Sequence, residues 1–196
     1  MSRLAAASEI ADFQEHCLAA PGVPARVETG LWEAIEANHR LNCVLWELED
    51  LARRRDVPDS AIAANKRAID ANNQKRNDAN ERIDQLLLAD LPQAKPEARL
   101  SSETPGAMID RLSILALKIH HMRLQSLRTD VERSHIEECR AKLQTLVEQR
   151  SDLASCLDRL LAEADSGESY FKVYRQFKMY NDPRLNPALY GERSKR

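Results

Sequence analysis

Polar side chains that could bind a ligand recur at helical spacing on two stretches of this sequence. In each stretch, 31–53 and 65–84, they share a helical arc with apolar residues, as a helical-wheel construction at about 100° per residue shows. Such an arc lies at the edge of a core, where an unpaired amide costs about 1–3 kcal/mol. The two stretches therefore predict a cleft between two helices, whose polar groups bond to one another, to water or to a ligand.

The basic and amide groups on these helices suit an anionic ligand. Guanidinium, ammonium and imidazole groups would neutralise a phosphate, and amides would orient it. We predict a cleft for a small anionic metabolite, such as a nucleotide sugar or sugar phosphate, formed by His39, Asn42, Arg53, Lys66, Asn73, Arg76, Asn77, Asn80, Lys118 and His121. The alternative is a self-satisfied polar network that only fixes the register of the helices.

Acidic pairs on the same stretches suggest a third function. Glu49–Asp50 and Glu81-x-x-Asp84 resemble the pairs with which all-helical nucleotide pyrophosphatases hold magnesium. Hard oxygen ligands from two helices suit Mg²⁺. This interpretation predicts Mg²⁺ at Glu49, Asp50, Glu81 and Asp84 in a nucleotide hydrolase, although the fuller acidic motif of those enzymes is missing from the first stretch.

Length and composition indicate a single all-α domain. The 196 residues fit one core, and five glycines and eight prolines leave few places to interrupt helices. A net charge of −2 argues against a nucleic-acid partner, which would require a basic excess. The sequence has neither an apolar run of about 18–20 residues nor a leader pattern, so we predict a cytoplasmic protein without a membrane span.

The positions of glycine, proline and capping residues divide the chain into helices. We predict an antiparallel bundle of about five to six helices, with an N-terminal helix and loop at 1–28, a bundle core at 29–166 and an aromatic segment at 167–196. Thr29 is expected to cap the second helix, and Thr104–Pro105 to begin the fourth. A break near 128–134 separates the fourth helix from a heptad-like fifth helix, whose spacing permits a homodimer.

Six of the nine aromatic residues lie in the last part of the chain, between positions 170 and 190. Tyr170, Tyr174, Phe177 and Tyr180 have the spacing of one helix face, which predicts a C-terminal helix packed on the bundle. Asparagine and proline then predict turns that fold the tail over the core or the cleft. The interleaved cations would also suit nucleic acid, but the helical spacing favours packing, with Arg175 and Lys178 as candidates to close an anion site.

Several longer motifs resemble one bacterial family. The sequence is similar to domain-of-unknown-function family forty-two fifty-four at Leu31–Trp32 with Asn38–His39, and in the runs 65–78, 104–122 and 172–183. The resemblance implies a small helical cytosolic protein encoded near envelope glycosyltransferases, and it supplies no catalytic residues. It therefore adds an alternative function, a structural or interaction protein that partners a glycosyltransferase, in which the polar residues only fix helix register.

Overall fold

The structure is a computed structural model that describes residues 5–19, 30–175, 179 and 182–190. Its long helices are α1 (Ala7–Ala19), α2 (Leu31–Leu51), α3 (Asp59–Asp90), α4 (Pro105–Ser126) and α5 (Arg133–Asp165). Two short strands, β1 (Arg99–Leu100) and β2 (Ser169–Tyr170), pair in parallel, and α6 (Pro187–Tyr190) is a single turn. The prediction of a mainly helical protein is confirmed.

Helix α4 lies at the centre of the packing. It contacts α1, α2, α3 and α5, which agrees with its nearly continuous apolar surface. Leu112 of α4 is completely buried, together with Ile35 of α2, Ile83 of α3 and Leu157 of α5. Polar residues of α4 that lie among these apolar side chains are therefore buried with them.

Local sequence signals place most helix ends where they occur. The predicted break near 128–134 is present, because α4 ends at Ser126 and α5 begins at Arg133. Thr29, which was expected to cap α2, lies outside the described residues. The residue before α2 is Gly30, whose φ of 83° is a left-handed value that favours glycine.

Thr104 begins α4 as the sequence predicts. Its Oγ1 accepts a hydrogen bond of 3.3 Å from the backbone nitrogen of Ala107, and Pro105 occupies the first helical position. We expect Thr104→Ala to lower the free energy of unfolding by about 1–2 kcal/mol, because an N-cap acceptor is lost. Urea unfolding measures this change, and Thr104→Ser, which keeps the hydroxyl, should remain close to wild type. Equal stabilities for the two variants would contradict this role.

The predicted aromatic helix is wrong over the described residues. Tyr170 belongs to β2, and residues 171–175 have no helical structure. In this extended chain Phe171 is 2% exposed whereas Tyr174 is 69% exposed, so the two rings do not share a buried face. Gly167, with φ of 72°, turns the chain from α5 towards β2. Phe177 and Tyr180 lie outside the described residues.

None of the helices in the described ranges is long and apolar enough to cross a membrane.

Candidate functional site

The polar arc of α2 faces the protein interior. Asn38 and His39 are fully buried, and Asn42 is 4% exposed. They face Asp110 and Ser113, which are three residues apart on α4 and therefore lie on the same side of that helix. The inward orientation predicted for these α2 residues is what the structure shows, and their partners come from the central helix.

The carboxylate of Asp110 is the centre of this cluster. Its Oδ1 accepts hydrogen bonds of 2.8 Å from the Nδ2 atoms of both Asn38 and Asn42. On the other side, Nε of Arg76 lies 3.8 Å from Oδ2, which is an ion-pair distance and too long for a hydrogen bond. The buried negative charge is therefore stabilised by two amides and by one guanidinium.

His39 continues the cluster through Ser113. The Nδ2 of Asn42 donates to Ser113 Oγ at 3.0 Å, and Ser113 Oγ lies 2.7 Å from His39 Nδ1. The ring also donates a hydrogen bond to the backbone carbonyl of Gln14. A neutral imidazole has one N–H donor, so we assign that donor to Nε2, and Nδ1 accepts the hydroxyl proton of Ser113. Every polar ring atom of a neutral His39 is thus satisfied.

Burial, and secondarily the charge of Arg40, lowers the pKa of His39 from 6.5 to about 4. The folded protein therefore resists protonation at a pH where the unfolded chain accepts it. The free energy of unfolding therefore keeps the full contribution of neutral His39 above pH 6.5. It falls by about 3 kcal/mol in total as the pH is lowered from 6.5 towards 4. Urea unfolding across this interval should show a smaller pH dependence for His39→Gln than for wild type. The same dependence in both proteins would contradict the neutral imidazole.

The Ser113–His39 contact has the geometry of a nucleophile and its base. Both side chains are 0% exposed, however, and the second ring nitrogen donates to a backbone carbonyl and not to a carboxylate. A substrate cannot reach the hydroxyl in this arrangement. The contact therefore serves to fasten α2 to α4.

Asn80 of α3 connects the buried cluster to the surface. We call the whole cluster the polar network, and it consists of Asn38, His39, Asn42, Asn80, Asp110 and Ser113. Its Oδ1 accepts a hydrogen bond of 2.5 Å from Asn38 Nδ2. Its own Nδ2 makes no hydrogen bond to any residue in the described ranges and is not closed off from solvent. The Asn80 amide thus offers a donor at the outer edge of the network.

A cavity of about 420 Å³, the edge cavity, lies beside this amide. It is lined by Asn77, Asn80, Glu81, Asp84, Ser102, Glu103, Thr104, Ala107, Lys172 and Tyr174. Helix α3, the start of α4 and the segment after β2 all contribute to it. The volume is within the range of about 300–1,000 Å³ that is typical of small-molecule sites.

Close approach of α3 and α4 forms the wall of the edge cavity. Asp84 Oδ1 accepts a hydrogen bond of 2.6 Å from the backbone nitrogen of Gly106, and Thr104 also bonds this carboxyl. Burial raises the pKa of Asp84, and these two hydrogen bonds oppose that shift. A Cβ at Gly106 would lie only 2.5 Å from the backbone oxygen of Asn80. Glycine is therefore required where the two helices cross.

Comparison with protein families identifies the chain. The model of a family described as protein of unknown function, DUF4254, matches residues 32–173. The chain belongs to the DUF4254 family. The match contains the whole polar network and most of the edge cavity, including Lys172. Comparisons of this DUF4254 protein with curated proteins and with solved structures give no match.

Five of the predicted ligand-binding residues lie in or beside these two features. His39, Asn42 and Asn80 belong to the polar network, and Arg76 borders it through Asp110. Asn77, which is 7% exposed, lines the edge cavity with Asn80. Asn73 is half-buried on α3, outside the residues that line the cavity.

The predicted cluster of cations does not come together. Arg53, just after the end of α2, is paired with Glu49, and Lys66 is paired with Asp70 within α3; both pairs are exposed to solvent. Lys118 is exposed on α4, and His121 stacks on Trp46. His39 is neutral for the reasons given above. In this structure, therefore, these basic groups do not form a single anion cradle.

The two acidic pairs proposed for magnesium lie at different levels of the helices. Asn38 of α2 bonds to Asn80 of α3, so Glu81 lies close to Asn38 along the direction of the helices. Glu49 is eleven residues after Asn38 on α2, which is about 16 Å along the axis of that helix. Asp50 is exposed at the end of α2, and Asp84 is engaged by the start of α4. No group of three or more histidine, cysteine, aspartate or glutamate side chains in the described ranges is placed to hold a metal.

Three members of the network were not predicted as site residues. Asn38 is on the same helical arc as Asn42, and its position was the available signal. Asp110 and Ser113 are polar residues three apart that lie among the apolar residues Ile109, Leu112 and Ile114 of α4, and a polar side chain buried among them needs a partner. That pattern on α4 would have revealed the centre of the network.

Proposed function

We propose that this DUF4254 protein binds a small hydroxyl-rich metabolite, a sugar phosphate, in the edge cavity. The observation that carries the proposal is the chemistry of the lining. Amides and carboxylates are supplied by Asn77, Asn80, Glu81, Asp84 and Glu103, with hydroxyls, one lysine and one tyrosine beside them. Sugar hydroxyls both donate and accept, and such groups match them.

The charge of the cavity favours a sugar phosphate over a nucleotide sugar. Lys172 is exposed and is the cation among the lining residues, which also include three carboxyl side chains, Glu81, Asp84 and Glu103. Glu103 is paired with Arg111 at 2.5 Å, which reduces its effect on a ligand. One ammonium group can pair with one phosphate monoester, whereas a diphosphate would meet more repulsion.

Tyr174 supplies a ring for the apolar face of a sugar. It is 69% exposed and lines the cavity with Lys172, two residues before it. Of the two residues predicted to close an anion site, Arg175 is exposed and does not line this cavity, and Lys178 lies outside the described residues. The resemblance to a family encoded beside envelope glycosyltransferases supports a role of the bound sugar phosphate in glycan synthesis.

Titration calorimetry with hexose phosphates, free hexoses, inorganic phosphate and nucleotide sugars tests the proposal. We expect a hexose phosphate to bind best, and Lys172→Gln to weaken it about tenfold by removing one charge-assisted contact. Tyr174→Ala should weaken both the hexose and its phosphate.

Lys75→Gln is the matched control, because Lys75 is also exposed but lies outside the cavity lining. It should bind as wild type does. The proposed site would be refuted if no sugar or sugar phosphate gave a heat of binding. It would also be refuted if Lys172→Gln and Lys75→Gln lost the same affinity.

A second role is favoured by the closed hydrogen bonding around Asp110. Asn38, Asn42 and Asp110 satisfy one another without a ligand, which suits a structural or interaction protein whose polar residues fix helix register. Under that role, a glycosyltransferase partner would bind elsewhere on the surface. Normal partner binding by Lys172→Gln, combined with no sugar binding by wild type, would favour it over the edge cavity.

A further inference from the structure

We propose that a second cavity in this protein binds an amphipathic anion, meaning an apolar chain with one carboxylate or phosphate head group. This Trp46 cavity, of about 420 Å³, lies between α2, α4 and α5 and is lined by Trp46, Lys118, His121, Met122, Gln125, Lys142, Thr145 and Leu146. The proposal is independent of the sugar phosphate site and concerns a different class of ligand.

The walls of the Trp46 cavity are apolar. The rings of Trp46 and His121 are parallel within 4°, with centroids 4.4 Å apart, so this stack joins α2 and α4 beside the cavity. Met122 and Leu146 add flexible and branched apolar side chains from α4 and α5. Burial, and secondarily the neighbouring His120, lowers the pKa of His121, which favours the uncharged ring. An apolar chain gains free energy by displacing water from such a surface.

Two ammonium groups flank these walls. Lys118 is exposed on α4 and forms no ion pair with any residue in the described part of the chain. Lys142 of α5 is 57% exposed and lies 2.6 Å from Glu138, one turn before it. The cavity therefore combines an apolar interior with an available cation. This charge complementarity selects an anionic head group over a neutral or cationic one.

The position of the Trp46 cavity separates it from the edge cavity. Lys118 is fourteen residues after Thr104 on the same helix, about 21 Å along its axis, and the two cavities share no lining residue. A ligand at one cavity therefore does not require the other. Failure of sugar phosphate binding would leave this proposal standing, and the reverse is also true.

Tryptophan fluorescence provides the test. The chain contains two tryptophans, and Trp32 packs against Phe13 outside the Trp46 cavity, so Trp32→Phe leaves Trp46 as the reporter. In this background we expect dodecanoate and dodecyl phosphate, below their micellar concentrations, to change the Trp46 emission saturably. Dodecanol should bind about tenfold more weakly, since it lacks the head-group charge.

Matched lysine variants locate the head group. Lys118→Gln should weaken dodecanoate about fivefold or more and leave dodecanol unchanged, whereas Lys75→Gln should alter neither. Equal affinity for dodecanoate and dodecanol, or equal effects of the two lysine variants, would overturn the proposal. So would emission that does not respond to either anion. Emission that changes with protein concentration alone would show that a second copy covers this face, and would also overturn it.

Discussion

Replacing Asp110 with alanine is expected to lower the free energy of unfolding by about 2–6 kcal/mol, because each of two buried amide donors left without an acceptor costs about 1–3 kcal/mol. Asn38 and Asn42 both donate to this carboxylate, and Arg76 lies beside it. Without it, two buried amides lose an acceptor and the guanidinium loses its counter-charge. Urea denaturation of the purified variant measures the change.

Two further variants separate charge from hydrogen bonding at this position. Asp110→Asn keeps an oxygen acceptor and should lose less stability than Asp110→Ala. Asp78→Ala removes an exposed carboxylate of α3 that accepts a bond from Gln74, and it should alter stability by no more than about 0.5 kcal/mol. If Asp110→Ala were as mild as Asp78→Ala, the network would not hold the helices together.

Gly106→Ala is the other substitution for which we expect a large effect. The added Cβ would lie 2.5 Å from the backbone oxygen of Asn80 and 2.9 Å from the carboxyl of Asp84. Since a backbone atom cannot rotate away, α3 and α4 must separate, at a cost of about 1–3 kcal/mol or more. The loss should appear even though alanine favours a helix by about 1 kcal/mol over glycine. Thermal and urea unfolding provide the measurement.

The neighbouring substitution Ala107→Gly is the control for Gly106→Ala. It makes the opposite change of side chain in the same turn of α4, where the helix-propensity cost is about 1 kcal/mol. Gly106→Ala should be the more destabilising of the two. It should also weaken sugar phosphate binding, because Asn80 and Asp84 line the edge cavity. A neutral or stabilising Gly106→Ala would mean that the helices do not need to approach so closely.

Helix content and most helix ends were predictable because they depend on local chemistry. Thr104 followed by Pro105 defines the start of α4, and the apolar residues of that helix predict its central position. The aromatic segment was mispredicted because Tyr170 and Tyr174 have helical spacing, yet pairing of β2 with β1 extends the chain there. That pairing joins residues seventy positions apart, and a local pattern contains no information about it.

The direction of the polar residues was predictable, but their grouping was not. A helical arc fixes the angle of a side chain, and Asn42 and Asn77 are buried as their arcs predict. The arc does not fix how far along the helix a side chain lies, because each residue also advances 1.5 Å along the helix axis. Arg53 follows the end of α2 at Leu51, which is about 20 Å along the helix axis from Asn38, and it is exposed there. Contacts with Asp110 and Ser113 then depend on how α4 packs.

Side-chain amide NMR tests whether the closed polar network opens at one edge into a sugar phosphate site. We expect slow hydrogen exchange for the Nδ2 protons of Asn38 and Asn42, compared with half-exposed Asn73. Titration with a hexose phosphate should shift the amide signals of Asn77 and Asn80 and leave Asn73 unchanged. Exchange at Asn38 and Asn42 as fast as at Asn73, with no shift at Asn77 or Asn80, would contradict it.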